Sequence, residues 1–95
     1  MAPVKTSYLY VKWIHKDPRD PVHLYSELDA ERYETRKVEI WADGRKGFAD
    51  ANESFGGTGL GEMATPPLSE LNADPQFQGK AIDAEEFQRQ WLKRR

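Results

Sequence analysis

Arg32-Tyr33-Glu34-Thr35-Arg36-Lys37-Val38-Glu39-Ile40-Trp41, followed at once by Ala42-Asp43-Gly44 and Arg45-Lys46-Gly47-Phe48, is the stretch that decides how this chain folds. Its first ten residues alternate with a period of two: Arg32, Glu34, Arg36, Val38 and Ile40 fall on one side, Tyr33, Thr35, Lys37, Glu39 and Trp41 on the other. That is the pattern of a β-strand. Asp43-Gly44 then supplies a hairpin turn, and the loop length fixes which side chains share a face. A two-residue turn would set Trp41 opposite Lys46 and Phe48 opposite Glu39. A three-residue loop, with Gly44 in the left-handed region as a G1 bulge, sets Phe48 opposite Val38 and Lys46 opposite Ile40. The second register is expected, because it joins Phe48 to the apolar pair Val38 and Ile40.

Upstream of this hairpin, Val22 to Asp29 alternates again, with Val22, Leu24, Ser26 and Leu28 against His23, Tyr25, Glu27 and Asp29. Tyr8 to His15 is a β-branched and aromatic run, with Leu9, Val11, Trp13 and His15 facing one way and Tyr8, Tyr10, Lys12 and Ile14 the other. Neither of its faces is plainly polar, so this strand should be at least partly covered on both sides. Short connections between these strands make them antiparallel neighbours. Between the first two, Asp17-Pro18-Arg19-Asp20-Pro21 reads as a loop of restricted shape.

Downstream, Ala51 to Gly61 holds four of the seven glycines and reads as a loop. Pro66-Pro67 favours a helix start, so a short helix is expected over about 67–74, stopped by Pro75. Phe77 to Ile82 is an extended connector or short edge strand. Asp83 followed by Glu86 is a capping box, Ile82 with Phe87 a hydrophobic staple, and Phe87 with Trp91 one helical face, which predicts a C-terminal helix over about 84–94. The expected fold is α+β: a four- to five-stranded, mainly antiparallel sheet with both helices packed on one face. Leu9, Val11, Trp13, Val38, Ile40, Phe48, Phe87 and Trp91 are the expected core, and residues 1–95 the expected single domain.

Composition narrows the function. The chain has 95 residues, 38% of them hydrophobic, with three Trp, four Tyr and four Phe, so a few large aromatic anchors must do much of the packing. Fourteen Lys and Arg against sixteen Asp and Glu leave a net charge of −2, which speaks against nucleic-acid binding. With no cysteine there is no disulfide, thiolate metal site or thiol nucleophile. No run approaches a membrane span, and Met-Ala-Pro-Val-Lys-Thr lacks the apolar region of a signal peptide, so a cytoplasmic protein is expected.

The pattern Tyr8-x-Tyr10-Val11-x-Trp13-x-His15-x-x-Pro18-x-x-Pro21, continued by Leu24-Tyr25-Ser26-Glu27-Leu28-Asp29 and Arg32-Tyr33-Glu34-x-Arg36-Lys37-Val38-Glu39, resembles a family of small, stand-alone bacterial proteins that is a domain of unknown function. The likeness continues through Asp43-Gly44, Gly56-Gly57-Thr58, Asn72-Ala73-Asp74-Pro75-x-Phe77 and Glu86-Phe87, so it covers nearly the whole chain. The resemblance implies a bacterial, cytosolic, single-domain protein and brings no catalytic residue with it.

Four residues around the double-proline loop, His15, Asp17, Asp20 and His23, are of the types that ligate hydrolytic metals. The plainer reading is that the aspartates make turns beside the prolines while the histidines end two strands. His15 with Glu27, Asp29 or Glu34 would be a minimal acid/base pair. Neither Ser26 nor Ser54 has the setting of a nucleophile. Gly56-Gly57-Thr58-Gly59-Leu60-Gly61 matches no phosphate-binding pattern. No cofactor is expected.

The charged strand carries the functional expectation. Tyr25, Glu27, Tyr33, Arg36, Lys37, Glu39 and Trp41 interleave aromatic and charged side chains over neighbouring strands, and Tyr, Trp and Arg are the types enriched where proteins bind one another. The expectation is a non-enzymatic protein-interaction module, in one form an immunity- or antitoxin-like inhibitor, binding an unidentified protein partner through this face. On that reading, reversing the charges of Arg36 and Lys37 abolishes binding without changing the thermal melt. The alternative is a small metal-assisted hydrolase or acid/base enzyme centred on His15 and His23. Self-association through the same face is a third outcome.

Overall fold

The computed structural model describes residues 5–95. Trp41 N–H donates to the Arg45 carbonyl (2.9 Å), Gly44 adopts φ +91°, and Phe48 pairs with Val38 and Lys46 with Ile40. This is the three-residue register. The strands are β1 (Ser7–Trp13), β2 (His23–Leu28), β3 (Glu34–Ile40), β4 (Lys46–Ala49), β5 (Ser54–Phe55) and β6 (Phe77–Ile82); the helices are α1 (Leu68–Leu71) and α2 (Ala84–Leu92). One antiparallel sheet runs in the order β5-β4-β3-β2-β1-β6. The α+β class holds, with six strands rather than four or five. The additions are β6, where the extended connector pairs along its length with β1, and Ser54–Phe55, two residues of the expected loop that add themselves to β4.

The two helices lie on opposite faces, not on one. After β5 the chain runs back over one face of the sheet: Thr58 lies against Gly47, Gly61 against Glu34, and Thr65 and Pro66 against Arg32, before α1 sets Leu68 on Val11 and Gly79. From β6, α2 returns over the other face, with Phe87 against Tyr8 (5.5 Å between rings) and Trp91 against Phe48 (5.9 Å). The expected core is accordingly divided. Leu9, Val11 and Leu28 form one apolar cluster with Leu24, Leu68, Leu71 and Phe77; Val38, Phe48, Phe87 and Trp91 form the other with Tyr8, Tyr25, Ile40 and Ile82. The physical reason is the period of two along β1, which sends Leu9 and Val11 to one side and Tyr8 and Tyr10 to the other. As its sequence requires, β1 is covered on both sides.

Both edges of the sheet are partly blocked to further strands. The Asn72 side chain accepts from Gly79 N–H (2.6 Å) and donates to the Gly79 carbonyl (3.0 Å), standing in for a neighbouring strand, and Phe77 N–H is held by the Asp74 carbonyl. At the far edge β5 is two residues long and turns away through Gly56 and Gly57, both at positive φ. Blocking edges in this way hinders open-ended strand pairing. Among the described residues, no helix is long and apolar enough to cross a membrane.

Candidate functional site

The register of β3 redistributes the seven side chains expected to share one surface. Between Glu27 and Leu28 the pairing slips: Arg36 stands opposite Glu27, Glu34 opposite Leu28, and Thr35 is the extra residue of a β-bulge. The slip moves Glu34 off the side of Arg36 and onto that of Lys37 and Glu39. There Lys37 Nζ lies 3.3 Å from Glu34 and 3.7 Å from Glu39, with all three side chains 12–14% exposed. The glycine-rich segment closes over them, Thr58 donating to Glu39 (2.8 Å) and Gly61 N–H to Glu34 (2.6 Å). Gly47 permits this closure, since a Cβ there would collide with the Thr58 hydroxyl. Lys37 and Glu39 therefore belong to a covered polar network.

Glu27 and Arg36 lie on the opposite face, against α2. Arg36 holds Glu27 with Nε (2.9 Å) and Nη2 (2.6 Å), and its guanidinium rests over the rings of Phe87 (4.9 Å) and Trp91 (5.0 Å). This bond to Arg36 keeps the Glu27 carboxyl below its usual range despite the opposing effect of burial, with Thr35 assisting. Arg36 ties the helix to the sheet, so its charge reversal should unfold the protein rather than leave its melt unchanged. Trp41 is buried, its indole N–H donating to the Arg19 carbonyl (3.0 Å). Tyr33 is exposed beside the β2–β3 turn. The seven residues thus occupy several separate environments rather than one surface.

His15 has both ring nitrogens engaged. Asp17 N–H donates to Nδ1 (3.0 Å), which leaves Nε2 to donate to the Pro21 carbonyl (2.8 Å). Asp17 is bound through both oxygens to Arg19, and Asp20 N–H donates to the Asp17 carbonyl. His15 and Trp41 clamp the double-proline loop, while His23 points to a different neighbour, the Tyr10 hydroxyl, 2.7 Å from its Nδ1. Among the described residues, no three His, Cys, Asp or Glu side chains come together to hold a metal.

One part of the α2 face remains open. The helix lies over Tyr8, Arg36 and Phe48, leaving Tyr10, His23 and Tyr25 partly exposed. Tyr10 and Tyr25 are cross-strand partners with ring centres 4.9 Å apart, and Lys80 pairs with Tyr10 on the outer side, its Nζ 5.8 Å from that ring. Lys12 pairs with His23. Neither lysine makes an ion pair with a carboxylate among the described residues. Burial raises both phenol pKa values, and at Tyr25 the neighbouring Tyr10 and Glu86 add to the effect, so both hydroxyls keep their protons at neutral pH. Of the seven expected residues, Tyr25 belongs to this ledge. Tyr10 and Lys12 were already on its side in the alternation of β1; Lys80 becomes a member only when β6 pairs.

The family model for a domain of unknown function, DUF6881, matches residues 7–95, and the chain belongs to that family. No curated protein and no solved structure matches it.

Proposed function

We propose that this family member is a protein-interaction module of the bacterial cytoplasm whose partner presents an acidic patch to the Tyr10, His23, Tyr25, Lys12 and Lys80 ledge. The observation that supports the reading is the adjacent pair of partly exposed tyrosine rings flanked by two exposed lysines that form no ion pair among the described residues. Tyrosine offers a large contact area with few rotatable bonds, and lysines around it favour a partner of opposite charge. Because the sheet edges are partly blocked, the reading has the partner meet a face rather than add a strand. An inhibitor that covers an acidic site on its target is the concrete form of such a module.

The test is capture from a bacterial extract by the wild-type protein and by a Lys12→Glu/Lys80→Glu variant, with the captured protein then purified and its affinity measured at two salt concentrations. Both lysines are exposed, so the melt should move by no more than about 0.5 kcal/mol in stability. The reading predicts an acidic protein whose direct binding weakens with salt and falls at least about tenfold, roughly 1.4 kcal/mol, in the variant. Equal binding by the variant refutes it. Loss of binding after nuclease treatment would instead assign the ledge to nucleic acid.

A further inference from the structure

We propose that a cavity at the β4–β5 end of the α2 face is a binding site for a small planar anion, a flat aromatic ring bearing a phosphate or carboxylate. This site is separate from the tyrosine ledge, on the other side of β3. Its volume is about 640 Å³, within the range of small-molecule sites. Its floor is Phe48, which is buried, and against Phe48 lies Phe55, with the rings 5.6 Å apart and inclined by 23°. Phe55 is 59% exposed. A second flat ring stacked on its open side would remove that apolar surface from water in the offset geometry aromatic pairs prefer.

The charges around the cavity specify the rest of the ligand. Lys46, Arg94 and Arg95 line it with a single acidic side chain, Glu53, which is 2.7 Å from Arg95. Arg94 is set in place before any ligand arrives: its guanidinium lies over Trp91 (4.1 Å) and Phe48 (5.0 Å), and Nη1 donates to the Trp91 carbonyl (2.9 Å). Its buried Nε has no acceptor among the described residues. That nitrogen is covered, so an anion in the cavity would meet the guanidinium through its outer Nη groups. A fixed guanidinium with its planar fork suits phosphate and carboxylate alike.

Titration of the 15N-labelled chain with AMP, indole-3-acetate, adenosine and inorganic phosphate, following the Arg94 Nε–H and the Ser54 and Phe55 amides, tests the assignment. Saturable shifts are expected with AMP, indole-3-acetate or both, and the tighter of the two identifies the anionic group. Adenosine and phosphate, each carrying half of the recognised chemistry, should bind at least about tenfold more weakly. Phe55→Ala should weaken the ring anion at least tenfold, while Glu53→Gln, which frees Arg95, should tighten it several-fold; both residues are exposed, so neither variant endangers the fold. The proposal is overturned if neither ring anion gives saturable shifts up to about 10 mM, if phosphate binds as tightly as AMP, or if both variants bind like the wild type.

Discussion

Arg36 satisfies Glu27 with two nitrogens and lies across two rings of α2, so a single side chain joins strand, neighbouring strand and helix. Exposed pairs contribute at most about 1 kcal/mol, whereas breaking a buried pair costs about 3–5 kcal/mol. This pair is largely but not wholly covered, so Glu27→Gln should cost about 1–3 kcal/mol in a denaturant titration at neutral pH. Because the folded Glu27 carboxyl is shifted down, its contribution is present above the unfolded value of about 4.3 and is lost as pH falls through the lower folded value. The loss of stability between about pH 5 and pH 2 should be smaller in Glu27→Gln than in wild type; an equally steep loss would deny Glu27 that role. Gly47 makes a second test. Alanine there meets the Thr58 hydroxyl and the Phe55 carbonyl, so Gly47→Ala should displace the glycine-rich segment and cost about 1–3 kcal/mol, with Thr58 and Gly61 amides the most shifted by NMR.

At the scale of elements, capping chemistry and turn length were readable because they are local. Asp83 accepts from Glu86 N–H (2.8 Å) as its spacing predicts, and Asp83→Ala should destabilise α2 by about 1 kcal/mol in thermal melts. The Ala42-Asp43-Gly44 loop likewise set the β3–β4 register from a few residues. Thr35 was not readable as a bulge: strict alternation continues through it, and only pairing with β2 reveals the extra residue that sends Glu34 to the other face. For the same reason the sequence alone could not place α1, whose side of the sheet depends on where the chain crosses after β5. Asn72 offers an element-scale prediction. Replacing it with Ala uncovers Gly79 N–H and C=O at the β6 edge, and light scattering should then show mass rising with concentration; a strictly concentration-independent mass would mean that Asn72 does not guard the edge.

For the molecule as a whole, the net charge of −2 gives little hint of how the charges are arranged. Lys37 bridges Glu34 and Glu39 beneath the glycine-rich crossing and Arg36 pairs with Glu27 beneath α2, while Lys12 and Lys80 flank the tyrosine pair and form no ion pair among the described residues. The mixed aromatic and charged character of the strands was legible in the sequence, but the fraction of it left facing solvent depends on two crossings of the sheet in opposite directions. On the proposed function the open tyrosine ledge, not the charged β3 strand, meets the partner. Mapping amide shifts when the captured partner is added to 15N-labelled protein tests it most directly. The largest changes should cluster at Tyr10, Lys12, His23, Tyr25 and Lys80; changes centred on Lys37, Glu39 and Thr58 would refute the assignment.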